Sequence, residues 1–451
     1  MIVLATLLFL FSTAASAQFL RTSYFMEGTS YRLQLNPALA PGRGYINIPV
    51  LGSLNATVNS SSLGYQDVMD ILENDDDNDF YMSDSFLNRL SSTNELNLNV
   101  STDIISAGWY KGKNFWSFNI GLRTDVGASV SRDLFEFMRD MDGLSTTDLT
   151  RLASIDETVG EQSLNLNMYT EIGLGLARDI NSKLTVGGRI KALLGIGNAE
   201  LNVNGMSVQS STSGASIAVD ADLELSSRLI EIDKATGGYI NELEFGSFGL
   251  AGWGGAIDLG AAYRLTDRLT LSASILDLGF IKWSKGQTKV AKANADQSFN
   301  FSYTSDLQDF VDKVSSGEVL NYDMLELTVD ESSEKSRTTG LTSTVVVGAE
   351  YELLSNWLVV GAVYTARMAE PKTLHELTFS GTIRPKNWFN LAVSYSVIQA
   401  SGKTFGLAAK LGCLFLGTDY MFLGSNTKNV NAYIGISIPL NKKKKQSGSE
   451  S

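Results

Sequence analysis

An acidic run is the first group of residues in this sequence whose types and spacing suggest chemistry. Asp75, Asp77 and Asp79 repeat at the spacing of the first three ligands of an EF-hand calcium loop. Phe80 stands where that loop requires glycine, and the distal glutamate is missing from its place. Two interpretations remain open, a weak divalent-metal site and a solvated acidic loop.

Charged residues also occur inside segments that alternate between apolar and polar positions. We expect five of them to lie on the polar side of a strand and to line a lumen, where charges filter solutes or neutralise one another. These residues are Asp103, Glu171, Arg189, Asp258 and Arg264. No pair among them stands out as a general acid and a general base.

The single histidine and single cysteine exclude several kinds of chemistry. His375 alone builds neither a histidine-based metal site nor, at the start of a predicted strand, a convincing Ser-His-Asp triad. Cys413 has no partner for an internal disulfide bond. The formal net charge of −13 disfavours binding to a phosphate backbone. We therefore expect no enzyme activity, no cofactor and no nucleic-acid partner.

The first residues are typical of an export signal. Residues 2–11 form a short apolar run, and Ala15-Ser16-Ala17 follows as a cleavage pattern. The run is too short to span a bilayer comfortably, and no later stretch approaches the length of a membrane helix. No lysine or arginine precedes the run, which is atypical. We expect residues 1–17 to be a signal peptide.

Alternation of apolar and polar residues is the main structural signal. In residues 389–398 every second position, beginning with Phe389, is apolar, and small or polar residues stand between them. Most such segments are longer than an average soluble strand and long enough for a tilted membrane strand. The fourteen predicted strands are 44–60, 94–111, 114–130, 162–179, 183–204, 248–265, 268–284, 339–353, 356–369, 373–384, 388–399, 403–411, 413–423 and 429–440.

The connections between these strands alternate in length. In an antiparallel sheet all the long connections fall on one side, and the tight turns fall on the other. The long connections are 61–93, 131–161, 205–247 and 285–338. Outer-membrane barrels have short periplasmic turns and longer extracellular loops. The pattern predicts an all-β fold, a closed transmembrane antiparallel barrel of about 14 strands with long extracellular loops and periplasmic termini.

Three further patterns refine this prediction. Residues 132–142 and 306–316 have apolar residues at helical spacing and are expected to be short helices in the loops. Four tryptophans near strand ends suit an aromatic girdle at the bilayer interfaces. These are Trp253, Trp283, Trp357 and Trp388. Residues 441–451 contain four consecutive lysines and are expected to be a basic, flexible periplasmic tail.

The segment 24–51 carries a motif that resembles a known group of proteins. It reads Tyr24-Phe25-Met26, then Asn36-Pro37-Ala38-Leu39, then Ile48-Pro49-Val50-Leu51. Together with the strand rhythm it resembles an uncharacterised family of Bacteroidota outer-membrane barrels. That family is similar, more distantly, to FadL/TodX-type transporters of fatty acids and hydrocarbons and to PorV-type barrels of protein secretion.

The resemblance implies a domain plan and a plug. Residues 18–43 are expected to fold into the lumen or its periplasmic mouth, and residues 44–440 to form the barrel. Asn36, Pro37 and Ala38 would lie at the turn from plug to first strand, where Pro37 fixes φ and restricts Asn36. A simple turn with no plug function is the alternative.

Two functions follow from the resemblance, the first as the prediction and the second as its alternative. One is passive uptake of hydrophobic or amphipathic small molecules across the outer membrane, as in FadL-like proteins. The other is a PorV-like interaction scaffold for protein secretion or surface assembly. The expected partners are outer-membrane lipid and lipopolysaccharide, a hydrophobic ligand, and a secretion or surface protein.

Overall fold

The computed structural model describes residues 21–64, 67, 82–235, 238–293, 296–315, 322–330, 335–354, 357–369, 372–386, 388–398, 403–420 and 427–442. The predicted signal peptide, the acidic run with Asp75, Asp77 and Asp79, and the tail beyond residue 442 lie outside these residues. Those three predictions remain predictions.

Strands dominate the described chain. In order they are β1 (Arg43–Asn47), β2 (Leu54–Ser60), β3 (Thr93–Lys111), β4 (Asn114–Ser131), β5 (Asp156–Val159), β6 (Gln162–Asp179), β7 (Leu184–Ser210), β8 (Gly214–Ser227), β9 (Ile230–Lys234), β10 (Ile240–Phe245), β11 (Gly252–Arg264), β12 (Leu269–Trp283), β13 (Thr288–Lys292), β14 (Asp296–Asn300), β15 (Thr328–Val329), β16 (Arg337–Gly340), β17 (Thr344–Leu354), β18 (Leu358–Arg367), β19 (Leu374–Lys386), β20 (Phe389–Ile398), β21 (Thr404–Leu411), β22 (Leu414–Thr418) and β23 (Asn429–Lys442).

Helices are short. They are α1 (Tyr31–Leu35), α2 (Asp84–Leu87), α3 (Arg132–Met141), α4 (Leu149–Leu152), α5 (Thr304–Val314) and α6 (Tyr322–Leu325), with a 3₁₀ turn at Lys285–Gln287. The two predicted loop helices are confirmed as α3 and α5. None of the helices in the described part of the chain is long and apolar enough to cross a membrane.

The long strands close into a barrel. β1 and β2 follow one another as a single wall strand, which pairs with β3 on one side and with β23 on the other. From β3 around the barrel to β23, neighbouring strands are antiparallel in the order β3, β4, β6, β7, β11, β12, β17, β18, β19, β20, β21, β22 and β23. β16 pairs with β12 in line with β17 and is counted with it as one wall strand. The described strands therefore form 14 wall strands, and the predicted closed antiparallel barrel is confirmed.

Apolar side chains lie on the outside of the wall, which reverses the pattern of a soluble protein. Ile190 is 63% exposed and Leu259 is 51% exposed, whereas Asp258, the neighbour of Leu259 in β11, is fully buried in the lumen. Exposed apolar residues recur in the same alternating way on β6, β12 and β20. This is the arrangement of a barrel whose outer surface meets lipid.

One end of the barrel has tight turns, for example at Gly112, where φ is +64° and glycine avoids the strain of a side chain. We call it the turn end, and β1 begins and β23 ends there. The other end, the loop end, has the long connections. The connection predicted as 205–247 is not an irregular loop, because it contains β8, β9 and β10. β7 continues past the barrel and pairs with β8, and β13 and β14 extend that sheet.

The loop end has a hydrophobic core of its own. Leu201 and Val203 on β7 and Leu223 on β8 pack there against Phe135 of α3 and Phe310 of α5, all buried. These strand residues lie on the face opposite to the polar residues that continue the lumen, which include Asn167 and Asn198. Several segments that look like separate loops in sequence thus fold as one unit, the loop-end core.

Candidate functional site

Residues 21–42, which we call the plug segment, lie inside the barrel. Tyr24, Phe25 and Tyr31 are each 1% exposed and pack against wall residues such as Val346 and Phe415. The Tyr24 hydroxyl hydrogen-bonds to Ser272 Oγ on β12 over 2.8 Å. The segment is therefore held by both apolar packing and hydrogen bonds to the wall.

The predicted Asn36-Pro37-Ala38 turn lies at the far end of α1, against β11 and β12. Asn36 is fully buried, and its Oδ1 accepts a hydrogen bond from the Ala38 backbone N–H (2.9 Å). Its Nδ2 donates to the backbone carbonyls of Ala261 (3.3 Å) and Ala273 (3.1 Å). One amide group therefore closes the turn and joins it to two wall strands.

Glycines make room for the plug segment on the inner wall. A Cβ atom at Gly187 would collide with the backbone of Pro37, and one at Gly260 would collide with the Asn36 side chain. At Gly348 on β17 a Cβ atom would stand 2.6 Å from the Tyr24 ring. Glycine is needed at such places because another chain segment approaches the wall closely.

The first described residues of the plug segment are fixed by charge. The Arg21 guanidinium forms a buried ion pair with Glu376 of β19. Its backbone N–H and that of Thr22 donate to the Asp419 carboxylate over 3.0 and 2.8 Å. The Tyr420 hydroxyl donates to the other oxygen of Glu376 over 2.8 Å. Buried charges need such partners because they have lost their hydration.

Seven charged side chains meet inside the lumen beside the plug segment, and we call them the lumen charge cluster. They are Asp103, Arg123, Glu171, Arg189, Lys191, Asp258 and Asp277. Arg123 bridges Asp103 (2.9 Å) and Glu171 (2.7 Å). Lys191 bridges Asp258 (2.9 Å) and Asp277 (2.6 Å). Within the described chain the cluster is largely self-neutralised.

The plug segment is bonded to this cluster. Arg189 Nη2 donates to the Leu33 carbonyl over 2.9 Å, and Gln34 Nε2 donates to Asp103 Oδ2 over 3.0 Å. Any movement of α1 therefore breaks bonds to charged groups of the wall.

Four of the five predicted lumen charges come together here, namely Asp103, Glu171, Arg189 and Asp258. Arg264 does not join them, because it lies exposed at the turn end of β11. Their role as a filter remains a prediction.

Sequence reasoning missed the other three members of the cluster. Arg123 and Lys191 carry a usable signal, because each occupies a lumen-facing position of an alternating strand. Asp277 carries none, because it lies at a break in the β11–β12 register with φ of +57°, where alternation is interrupted.

Three cavities follow one another along the lumen. The outer cavity, at the loop end, has a volume of about 600 Å³. A middle cavity of about 80 Å³ shares Asp125 and Arg367 with it. An inner cavity of about 1000 Å³ at the turn end shares Tyr31 with the middle one. Tyr31 stands between them, and its hydroxyl donates to the Ile434 carbonyl over 2.5 Å.

Three of the four tryptophans predicted to form the girdle are exposed, and the girdle itself remains a prediction. Trp253, Trp357 and Trp388 are 62%, 48% and 57% exposed near the ends of wall strands. For Trp283 the prediction is wrong, because this side chain is fully buried and packs with Tyr169 and Leu193. Its Nε1 donates to Thr339 Oγ1 over 2.8 Å, which satisfies the indole N–H.

No group of three or more candidate metal ligands occurs among the residues that the structure describes. His375 is exposed on β19 and hydrogen-bonds through Nδ1 to the Tyr364 hydroxyl over 2.8 Å.

A closed barrel with an apolar exterior, a charged lumen and an internal plug segment defines a plugged transmembrane barrel. The chain belongs to DUF5723, a family of unknown function, whose model matches residues 37–419. The family recognised from the sequence is thereby confirmed. No protein of curated function matches the chain.

Solved structures that are similar to this chain include two toluene transporters and a FadL homologue. The toluene transporter TbuX of Ralstonia pickettii has 10% identity and a TM-score of 0.42, covering 95% of this chain and 96% of its own. The toluene transporter TodX of Pseudomonas putida has 11% identity and a TM-score of 0.39, covering 94% and 97%. A Pseudomonas aeruginosa FadL homologue has 9% identity and a TM-score of 0.42, covering 94% and 95%. Because the identities and TM-scores are this low, the functional proposal rests on the geometry of this chain alone.

Proposed function

We propose that this protein is an outer-membrane channel for passive uptake of amphipathic small molecules, closed at rest by its plug segment. The observation that carries this proposal is the series of cavities along the lumen, which share lining residues from the loop end to the turn end. A structural barrel has no need of such a series. Tyr31 lines both the middle and the inner cavity and divides them.

The location of the barrel follows from its surface. The apolar exterior suits a lipid bilayer, and closed barrels are typical of the outer membrane of Gram-negative bacteria. We place the loop end outside the cell and the turn end, with both termini, in the periplasm. Outer-membrane lipid and lipopolysaccharide are then the surroundings of residues such as Trp253. A source among the Bacteroidota is part of the same proposal.

The lining favours amphipathic over purely hydrophobic ligands. The outer cavity is lined by Asn165, Asn167, Asn198 and Glu200, and the middle one by five members of the lumen charge cluster. A hydrocarbon makes no use of such polar groups, whereas a ligand with a polar end forms hydrogen bonds there. We assign the lumen charges to ligand passage and not to acid–base catalysis.

The test is the conductance of the purified barrel in planar lipid bilayers. Replacing Tyr31 with alanine removes the side chain that separates the middle and inner cavities. We expect Tyr31→Ala to raise single-channel conductance several-fold over the native protein. The matched control is Tyr263→Ala, because Tyr263 is 41% exposed at the turn end of β11.

Two results contradict the proposal. In the first, the native protein and the Tyr31→Ala variant have the same low conductance, although unheated samples of both migrate on gels as folded barrels. The other is an equal rise in Tyr263→Ala. Uptake of hexyl β-D-glucoside into proteoliposomes by Tyr31→Ala, above protein-free vesicles, supports it directly.

A second candidate function is favoured by the loop-end core. A folded extracellular unit with buried Phe135 and Phe310 is larger than a pore requires and offers a rigid surface to a secretion or surface protein. Native mass spectrometry of the gently purified barrel separates the two functions. A bound small amphiphile supports uptake, and a stoichiometric protein partner without a small ligand supports the scaffold.

A further inference from the structure

The wall of the outer cavity has an unusual pattern of polar residues. Five polar residues lie directly opposite one another on five strands that are neighbours in the sheet, β3, β4, β6, β7 and β8. In this order they are Asn99, Asp125, Asn167, Asn198 and Ser226. Opposed residues in a sheet have Cβ atoms about 4.5–5.5 Å apart. The residues therefore form a continuous polar row across the wall.

A second row lies next to the first, toward the loop end. It consists of Asn97, Gly127, Asn165, Glu200 and Glu224, again paired strand by strand. Most members of the two rows line the outer cavity, and Gly127 contributes no side chain there. A patch this polar on one inner face requires a polar occupant, which is either solvent or ligand.

The charges of this cavity are balanced. Arg337 pairs with Glu200 (2.5 Å) and Glu224 (3.0 Å). Arg367 pairs with Asp125. Lys335 also pairs with Glu224, over 2.8 Å. Three cations thus face three carboxylates, and the cavity does not select for a charged ligand.

Two hydrogen-bond acceptors remain unused. Asn198 is only 7% exposed, and its Nδ2 donates to the Leu166 carbonyl over 2.9 Å. Its Oδ1 has no donor among the residues that the structure describes, and neither has Oδ1 of Asn167 opposite it. A buried amide oxygen without a donor is unfavourable, and a ligand hydroxyl or N–H that donates to it removes this penalty.

The same cavity has an apolar part. Leu341, 8% exposed, and Met368, 52% exposed, are among its lining residues. An alkyl group beside the polar rows therefore has its own contact surface.

From these contacts we propose that the outer cavity binds the polyhydroxylated end of a neutral amphiphile, with Asn167 and Asn198 accepting hydrogen bonds from its hydroxyl groups. A polyol carries hydroxyl donors on neighbouring carbons, so one ligand supplies both amide oxygens. An ionised fatty acid has no donor to offer them, and a hydrocarbon has none at all. The inference names the substrate class of the proposed channel and rests on that proposal.

Saturation-transfer NMR on the native protein tests the inference, with the barrel held in a detergent that has no sugar headgroup. The probes are hexyl β-D-glucoside, hexanoate and hexylammonium, each of which has six carbon atoms in its chain. We expect the glucoside to bind best and its ring protons to receive the most saturation. In Asn167→Leu/Asn198→Leu, which keeps side-chain size, glucoside affinity is expected to fall roughly 3- to 10-fold for each lost acceptor.

The control is Asn241→Leu, because Asn241 is exposed on β10, outside the lining of the cavity. Asn167→Leu alone serves as a milder variant, should the double variant fail to migrate as a folded barrel. Equal binding of all three probes, stronger binding of hexanoate or hexylammonium, or unchanged glucoside affinity in a folded Asn167→Leu variant overturns the inference.

This outcome is separable from that of the channel proposal. Glucoside binding that depends on Asn167 and Asn198, without conductance in Tyr31→Ala, supports the site and contradicts the channel. Conductance in Tyr31→Ala without preference for the glucoside supports the channel and contradicts the site.

Discussion

Arg21 holds the start of the plug segment by charge, whereas Asn36 holds its end by neutral hydrogen bonds. Arg21 is 1% exposed beside Glu376, and Asn36 is fully buried beside two wall carbonyls. The two attachments respond differently to substitution. Loss of Arg21 leaves a charge unpaired in the lumen, whereas loss of Asn36 leaves only neutral groups unpaired.

Replacing Arg21 with methionine is expected to destabilise the barrel by about 3–5 kcal/mol, because Glu376 stays buried without its cation. The double variant Arg21→Met/Glu376→Gln removes both charges and should recover a large part of this loss. Urea unfolding in lipid vesicles measures both free energies. Equal destabilisation in the single and double variants would show that the unpaired charge of Glu376 does not cause the loss of stability.

The lumen charge cluster shows how far single residues can be inferred from sequence. Four of its members are recognisable because each is a charged residue at a polar position of an alternating strand. They are Asp103, Glu171, Arg189 and Asp258. Arg264 occupies a similar position but lies at a strand end, where a side chain reaches solvent. Alternation shows whether a residue faces the lumen or the exterior, but it does not show how far along the barrel axis the residue lies.

At the scale of elements, glycines on the inner wall determine where the plug segment fits. Gly187 and Gly188 are neighbours on β7 and illustrate the point. A Cβ atom on Gly187 would enter the backbone of Pro37, whereas one on Gly188 would meet its nearest atoms at 3.6 and 3.7 Å, an ordinary contact.

Gly187→Ala is therefore expected to displace the Asn36-Pro37-Ala38 turn and to raise conductance in planar bilayers. The plug backbone, unlike a flexible side chain, has no rotamer that avoids the new methyl group. Gly188→Ala is the matched control and should conduct like the native protein. Identical conductance of the two variants would mean that the turn does not seal the lumen.

The loop helices were predictable elements, but the sheet around them was not. The apolar spacing of α3 and α5 is visible in sequence because their contacts repeat every three to four residues. β8, β13 and β14 lie in segments read as loops, and they pair only because β7 extends past the barrel to Ser210. β8 forms a hairpin with β7 and alternates in sequence from Ala215 to Leu225, so it carries a local signal. The pairing of β13 and β14 with β8 joins segments far apart in the chain and leaves no local trace.

At the scale of the whole molecule, the exterior of the barrel is apolar and the lumen is polar. Leu259 lies midway along β11 on the exterior, and Leu265 lies just beyond its turn end. In a bilayer these positions differ in depth, although they are similarly exposed at 51% and 47%.

Leu259→Arg is expected to destabilise the barrel in vesicles by about 2–4 kcal/mol, because it places a charge near the bilayer midplane. Leu265→Arg should lower the free energy of unfolding by only about 0–1 kcal/mol, because the new guanidinium reaches the interface between membrane and water. Urea titration at constant lipid composition measures the difference. Equal costs would contradict the placement of β11 across the membrane.

The sequence alone determined the closed barrel, its strand number and the side on which the long connections lie. These features follow from local periodicity and from turn residues, which act between neighbours in the chain. Tertiary structure alone decided the lumen charge cluster, the burial of Trp283, the fold of the loop-end core and the polar rows of the outer cavity. Each of these depends on strand register and on bulges such as that at Asp277, which bring together residues distant in the chain.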